Sequence, residues 1–248
     1  MGTIKLETQN ISKSFAGELI IKDINIRLGE NELVSLLGVS GIGKSTLFNV
    51  IAGVLPPDTG RVFLNGEDIT GQAGKVSYMQ QKDLMQPHMR VLDNVALPLF
   101  IRGVNKQQAR ARALSYFTEF GLEGTQKKYP AQLSGGMRQR AALLRTYLFS
   151  QDIALFDEPF SALDAITKSA MHLWYLMLME RINLSTLFIT HDIDEAILLS
   201  DRVYIMNGPP GMIAHEIVID TPRPRGEAFL VSNAFIEYKR QIIKHLSH

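Results

Sequence analysis

The sequence predicts an α/β fold with an N-terminal antiparallel β subdomain and an inserted helical subdomain, and three observations carry that prediction. Leu33 to Leu37 is a short unbroken apolar run, as in a buried strand, and it leads through a glycine-rich stretch into Leu47 to Leu55, which reads as helix. Ile4 to Ile11 and Glu18 to Leu28 alternate apolar and polar residues around the turn residues Gly17 and Gly29, as antiparallel strands do. The middle of the chain, about residues 82–150, is mostly helical and interrupts the α/β alternation.

Bulk properties set the outer limits. A chain of 248 residues with 46% hydrophobic composition fits one large folded unit, residues 1–248, and argues against disorder. With 26 basic and 25 acidic residues the net charge is +1, so charge alone advertises no nucleic acid or other polyanion. The absence of cysteine excludes disulfides and thiolate metal sites and fits the cytosol. Met1 to Leu6 has no basic-then-apolar leader pattern, and no apolar run approaches the ~18 residues that span a bilayer. The expectation is a chain without a membrane span that can still sit on a membrane protein.

Taken in order, the elements acquire chemistry. Phe15 falls in the turn between the first two strands, where it is either a packing residue or a face on which a nucleotide base stacks. Residues Gly38, Val39, Ser40, Gly41, Ile42, Gly43, Lys44, Ser45 and Thr46 contain G-x-x-x-x-G-K-[ST], a pattern expected by chance in about one chain per hundred of this size. Its glycines let several N–H groups turn inward, the following helix adds its positive N-terminus, Lys44 reaches β- and γ-phosphates, and Ser45 is placed to ligate Mg²⁺. Arg61 to Leu64 is a strand closed by Asn65-Gly66. Val76 to Met79 is another, with Gln80 and Gln81 at its end; they are either solvated or turned toward a γ-phosphate.

Asp93 to Arg102 is a short apolar segment interrupted by Pro98, and Asn105 caps a helix with a stripe of Ala109, Ala113, Phe117 and Phe120, stopped by Gly121. Ser134 is an N-cap followed by Gly135 and Gly136, which are costly in a helix start unless the backbone must approach something closely, such as an anion; an ordinary capped helix is the alternative. Ile153 to Phe156 runs into Asp157-Glu158, two acids at a strand's C-terminal end, where open α/β sheets bind ligands. Asp157 suits Mg²⁺ through water and Glu158 can polarise an attacking water. Ser161 to Asp164 opens a helix, Ala165 to Ile182, whose Met171, Leu173, Trp174, Leu176, Met177 and Leu178 read as core. Ser185 to Ile189 ends at Thr190-His191-Asp192, which brings His191 toward the same phosphate, and Ile193 to Ser200 is helical. Val203 to Met206 and Ile213 to Ile219 are the last strands, Thr221 to Arg225 is a Pro-rich turn, and residues 226–248 form a short helical tail.

This ordered motif set resembles that of ATP-binding-cassette ATPases over essentially the whole chain, and the resemblance implies a P-loop NTPase (RecA-like) core that binds ATP with Mg²⁺ and hydrolyses it. On that likeness Phe15 matches the adenine-stacking aromatic, Gln81 the glutamine of the Q-loop, and Ser134 to Gln139, with Gly135 and Gly136, the signature that contacts ATP in the partner subunit. Asp164 matches the D-loop and His191 the switch histidine. Mg²⁺ is then held by Ser45, Gln81 and Asp157, while Lys44, Gln81, Glu158 and His191 serve the chemistry. Asp93 to Pro98, Pro130 to Arg140 and Pro222 to Arg225 are similar to importers of the nitrate, sulfonate and taurine type, whose relatives also energise uptake of thiamine precursors and riboflavin. Gln80, His88 and Ser161 depart from the usual Pro or Phe, Trp and Gly.

The implied partners are a second cassette in a homodimer, integral membrane permease subunits and a solute-binding protein, with the chain on the cytoplasmic face of the inner membrane and no nucleic acid involved. Two other classes stand beside the importer: an exporter or lipid-extraction ATPase, and a non-transport cassette of translation or DNA repair. The last kind usually carries two cassettes or a long coiled-coil insertion, whereas this sequence has one P-loop and no sustained heptads.

Overall fold

The computed structural model describes residues 3–150 and 152–246. β1 (Ile4–Phe15) and β2 (Glu18–Gly29) form a long hairpin whose loop, Ala16-Gly17, takes positive φ at both residues (49° and 84°), the signature of the two-residue turn that matches strand twist. Phe15 therefore ends a strand rather than occupying the turn. β4 (Thr59–Leu64) pairs with β1, and β5 (Glu67–Asp68) folds back on β4 through Asn65-Gly66, again with positive φ at both residues. The resulting antiparallel sheet has the order β2-β1-β4-β5.

The second sheet has the order β10-β9-β3-β8-β7-β6, from β3 (Leu33–Gly38), β6 (Ser77–Met79), β7 (Ile153–Asp157), β8 (Ser185–Thr190), β9 (Arg202–Asn207) and β10 (Met212–Val218). All its pairings are parallel except that of β10 with β9. Every residue of β3, β7 and β8 is buried, as expected of parallel strands covered on both faces. On one side α1 (Lys44–Ile51) is enclosed between the two sheets, with Leu47, Phe48, Val50 and Ile51 in a core shared with Ile11, Ile24 and Ile26 of the hairpin. The hairpin is also stitched to the second sheet: Gly211 donates to the Ile20 carbonyl (2.8 Å) and accepts from Lys22 N–H (2.9 Å).

Between β6 and β7 stand α2 (Val91–Ile101), α3 (Lys106–Ser115) and α4 (Gly135–Phe149), whose core joins Val95, Leu99, Phe117 and Phe120 to the α4 residues Leu143 and Leu144. Asn105 caps α3 by accepting from Gln107 N–H at 2.9 Å. The helix stops at Ser115, so Phe117 and Phe120 lie beyond it in turns that still bury both rings. Side-chain burial keeps the apolar stripe going in the sequence after the backbone has left the helix. α2 runs through Pro98 without a break.

α5 (Ala165–Ile182) packs on this core through Met171, Tyr175, Leu176 and Leu178, while Met177, expected in the core, is 51% exposed because apolar residues surround α5 and only one face meets the protein. α6 (Ile193–Leu199), α7 (Glu227–Leu230) and α8 (Asn233–Leu246) complete the chain. The buried Arg225 guanidinium closes the end of α6, donating to the carbonyls of Ile197, Leu198 and Ser200. Burial lowers its pKa to about 10, and it stays charged at neutral pH.

Candidate active site

Because β3, β6, β7 and β8 run parallel, their C-terminal ends open on one edge of the sheet, and the residues just beyond each strand are brought together there. β3 supplies the glycine loop, β6 Gln81, β7 Asp157 and Glu158, and β8 His191. These residues line a cavity of about 410 Å³, together with Ser40, Gly41, Gly43, Lys44, Ser45 and Thr46.

The loop can have this form only with glycine at two points. Gly43 has φ 105°, and a Cβ there would sit 2.5 Å from Ile21 Cγ2; a Cβ on Gly38 would sit 2.7 Å from the Met206 carbonyl oxygen. Gly38 thus packs against β9 and does not line the cavity. The buried Lys44 ammonium donates to the carbonyls of Gly38 (2.7 Å) and Val39 (2.8 Å). Burial holds its pKa below the ordinary lysine value, opposed by the charges of Glu158 and Asp157.

Glu158 is held from both sides. Gln81 Nε2 donates to its Oε2 at 3.0 Å, and His191 Nδ1 lies 3.1 Å from its Oε1. Its backbone sits at φ 47°, a conformation costly for a side-chain-bearing residue, and its N–H donates across to the Ile189 carbonyl at 3.0 Å. Asp157 lies deeper, hydrogen-bonded by Ser45 and, at 3.4 Å, by the Tyr78 hydroxyl. Burial raises its pKa, reinforced by the Glu158 charge and opposed by Ser45, Tyr78 and Lys44. Ser45, Asp157 and Gln81 all offer oxygen, the donor set that suits a hard cation such as Mg²⁺.

The other sequence-predicted residues lie apart from this cavity. Phe15 is 47% exposed at the tip of the hairpin, with the Lys13 ammonium 5.8 Å from its ring. Ser134 caps α4 by accepting from Met137 N–H (3.3 Å), and beside it Gly135 and Gly136 face Leu163 and Thr167. Asp164 caps α5 through Thr167 N–H at 3.0 Å. Gln139 turns inward and donates to the Pro159 carbonyl, which ties the start of α4 to the loop carrying Glu158.

Sequence reasoning missed three lining or supporting groups: Ile20 and Ile189, which form apolar wall, and Tyr78, whose hydroxyl reaches the neighbouring strand. It also missed Arg145 of α4, whose guanidinium donates to the carbonyls of Asp83 and, at 3.0 Å, Leu84 in the loop after Gln81.

Residues 21–161 match the sequence family described as ABC transporter. The chain belongs to that family. Over 191 residues this cassette is 46% identical to the formylaminopyrimidine import ATP-binding protein ThiZ of Halalkalibacterium halodurans, covering 77% of this chain and 74% of that one. It is 39% identical to the taurine import ATP-binding protein TauB of Pseudomonas aeruginosa, over 88% and 85% of the two chains. Among solved structures, a dimeric bacterial ABC transporter cassette superposes with a TM-score of 0.74 at 28% identity, covering 88% of this chain and all of that one. A post-hydrolysis dimeric cassette bound to ADP and phosphate gives 0.73. The cassette is therefore an ATP-binding ATPase domain of a transporter, with the mixed α/β architecture of its structural neighbours.

Proposed function

We propose that this cassette energises import of a small solute through a separate membrane permease, working as a homodimer with Mg²⁺ and supplied by a solute-binding protein. The carrying observation is the Gln81-Glu158-His191 arrangement over the P-loop. It places a carboxylate, aimed by two side chains, on the mouth of a phosphate cradle. Importer-named relatives support the direction of transport.

On this reading ATP lays its phosphates along the loop N–H groups, and Lys44 exchanges its two carbonyl partners for β- and γ-phosphate oxygens. Glu158 orients and deprotonates the attacking water, and His191 and Gln81 contact the γ-phosphate. Ser45, Asp157 and Gln81 would hold Mg²⁺, which would supply positive charge to neutralise the phosphates. Phe15 stacks on the adenine. Ser134, Gly135, Gly136, Gln139 and Asp164 serve the second nucleotide site from across a two-fold interface, since a surface away from the chain's own P-loop needs a phosphate from elsewhere.

The permease docks on an open apolar groove of about 390 Å³ between the core and the helical insert, where Val54 and Ile101 are 64% and 76% exposed. Tyr78 and Arg145 are in its wall and touch Asp157 and the Gln81 loop, respectively. Among the described residues no helix is long and apolar enough to cross a membrane, so this groove supplies the attachment to the cytoplasmic face.

The test is ATPase assay of the purified chain and of the assembly with its permease and binding protein in vesicles. Solute stimulates hydrolysis only in the complete assembly. Stimulation of the chain alone by solute would reject the coupling reading.

A further inference from the structure

The His191 side chain is 60% exposed, so packing does not hold its ring beside Glu158. Its place is set by the backbone that carries it, at the junction of β8 and α6. That junction is fastened on both sides of His191. Thr190 Oγ1 accepts from Asp192 N–H at 3.0 Å, and Asp192 Oδ1 accepts from the N–H groups of Asp194 (2.9 Å) and Glu195 (3.2 Å), which caps α6.

These bonds are local, and a turn tied to itself can still swing as a unit. The other oxygen of Asp192 reaches out of the turn: Oδ2 accepts from the Lys168 ammonium at 2.6 Å, in the first turn of α5. A charge-assisted contact of this length is among the strong ones, and with its two side chains 20% and 35% exposed it is partly shielded from water. Lys168 is seated in turn, since its N–H donates to the Asp164 carbonyl (2.8 Å) at the helix start that the Asp164 carboxylate caps. The residue after His191 is thereby anchored to an 18-residue helix packed on the core.

We propose that Lys168 is a positioning residue for ATP hydrolysis: by holding Asp192 it fixes the backbone of His191, and with it the ring beside Glu158. The proposal rests on the role given above to His191. Lys168 also meets Glu195 Oε2 at 3.0 Å, a carboxylate 4% exposed, so compensating that buried charge is a second and purely structural duty.

Substitution separates the two duties. Asp192→Asn keeps an oxygen for the α6 cap but turns an amide toward Lys168, donor against donor, and so releases the grip while Lys168 stays on Glu195. Lys168→Met releases it from the other end. In the assembled transporter each should lower kcat at least about tenfold, as a small misplacement near the reacting atoms does, while nucleotide titration should give a Kd for ATP within about threefold of wild type. Glu195→Gln leaves the contact between Lys168 and Asp192 in place and should keep kcat within about twofold of wild type. Because Lys168 acts through His191, adding Asp192→Asn or Lys168→Met to His191→Ala should change the residual single-turnover rate less than about twofold. Wild-type kcat in Asp192→Asn, equal slowing by Glu195→Gln, or undiminished slowing in the His191→Ala background would overturn the positioning role and leave that of His191 standing. Wild-type turnover in His191→Ala itself would overturn both.

Discussion

At the scale of single residues, the strained backbone of Glu158 is informative because two side chains and a cross-strand hydrogen bond hold it there. Glu158→Gln preserves size and the reach to Gln81 but removes the carboxylate proposed as the base. ATP affinity should stay near wild type while turnover falls by about 10²–10⁴ in the assembled transporter, measured as phosphate release. Lys44→Ala removes the cation proposed to meet phosphate in the ground state and should instead cost about 1.5–3 kcal/mol of ATP binding, read by nucleotide titration. Asp157 makes a pH prediction. Its folded pKa is raised by burial above the ordinary 3.8, so the native state holds the proton more tightly than the unfolded chain. Its contribution is full below 3.8 and is lost as pH rises through the folded value. Asp157→Asn should therefore melt at a higher temperature than the nucleotide-free wild type at pH 7, with the gain shrinking as pH falls toward 3.8; a lower melting temperature at pH 7 contradicts the account. The P-loop, Asp157-Glu158 and His191 were legible in the sequence because each is a local pattern tied to a strand end. Tyr78 was not, because a phenol reaching sideways to the next strand leaves no mark in spacing.

Among the elements, α4 joins a proposed nucleotide contact at its N-terminus to a loop clamp further along. Its N-terminus presents Ser134, Gly135 and Gly136, while Arg138 lies 3.7 Å from the Asp83 carboxylate and Arg145 holds the Asp83 and Leu84 carbonyls. Leu84 itself sits at φ 47°, so the loop after Gln81 is kept in a shape it would not choose alone. Arg145→Ala should free the loop: a loss of about 2 kcal/mol in stability is expected from the orphaned carbonyls, and hydrogen exchange across residues 80–87 should quicken while exchange in β3 does not. Unchanged exchange in that loop would show that Arg145 is not its clamp. The α4 cap and the helical character of the insert could be read from sequence. The clamp could not, since a basic residue mid-helix is ordinarily solvated and only the fold shows what lies beneath it. The end of α3 was misplaced for a related reason: Phe117 and Phe120 continue the apolar stripe through turns.

For the whole molecule, the α/β order and the N-terminal hairpin were visible as periodicity, whereas the placement of β6 at the sheet edge and β9 beside β3 depends on pairing that a linear pattern does not encode. The two-fold assembly can be tested with chains naturally free of cysteine. Val39, 59% exposed in the P-loop, and Ser134 should meet across the interface. Mixing Val39→Cys and Ser134→Cys chains, both carrying Glu158→Gln, should give a crosslinked pair whose yield rises with ATP; crosslinking indifferent to nucleotide argues against a shared site. The placement of the insert has a further consequence. The chain leaves the core from β6 and returns in β7, its hydrogen-bonded neighbour at the edge of the sheet. Exit and re-entry are thus a strand's width apart, so the intervening seventy or so residues hang from the core like a cartridge on two adjacent pins. A cassette of this design can exchange the α2–α3 part of its insert without re-threading its sheet, so long as Gln81 and the start of α4, which the proposed nucleotide sites use, are kept.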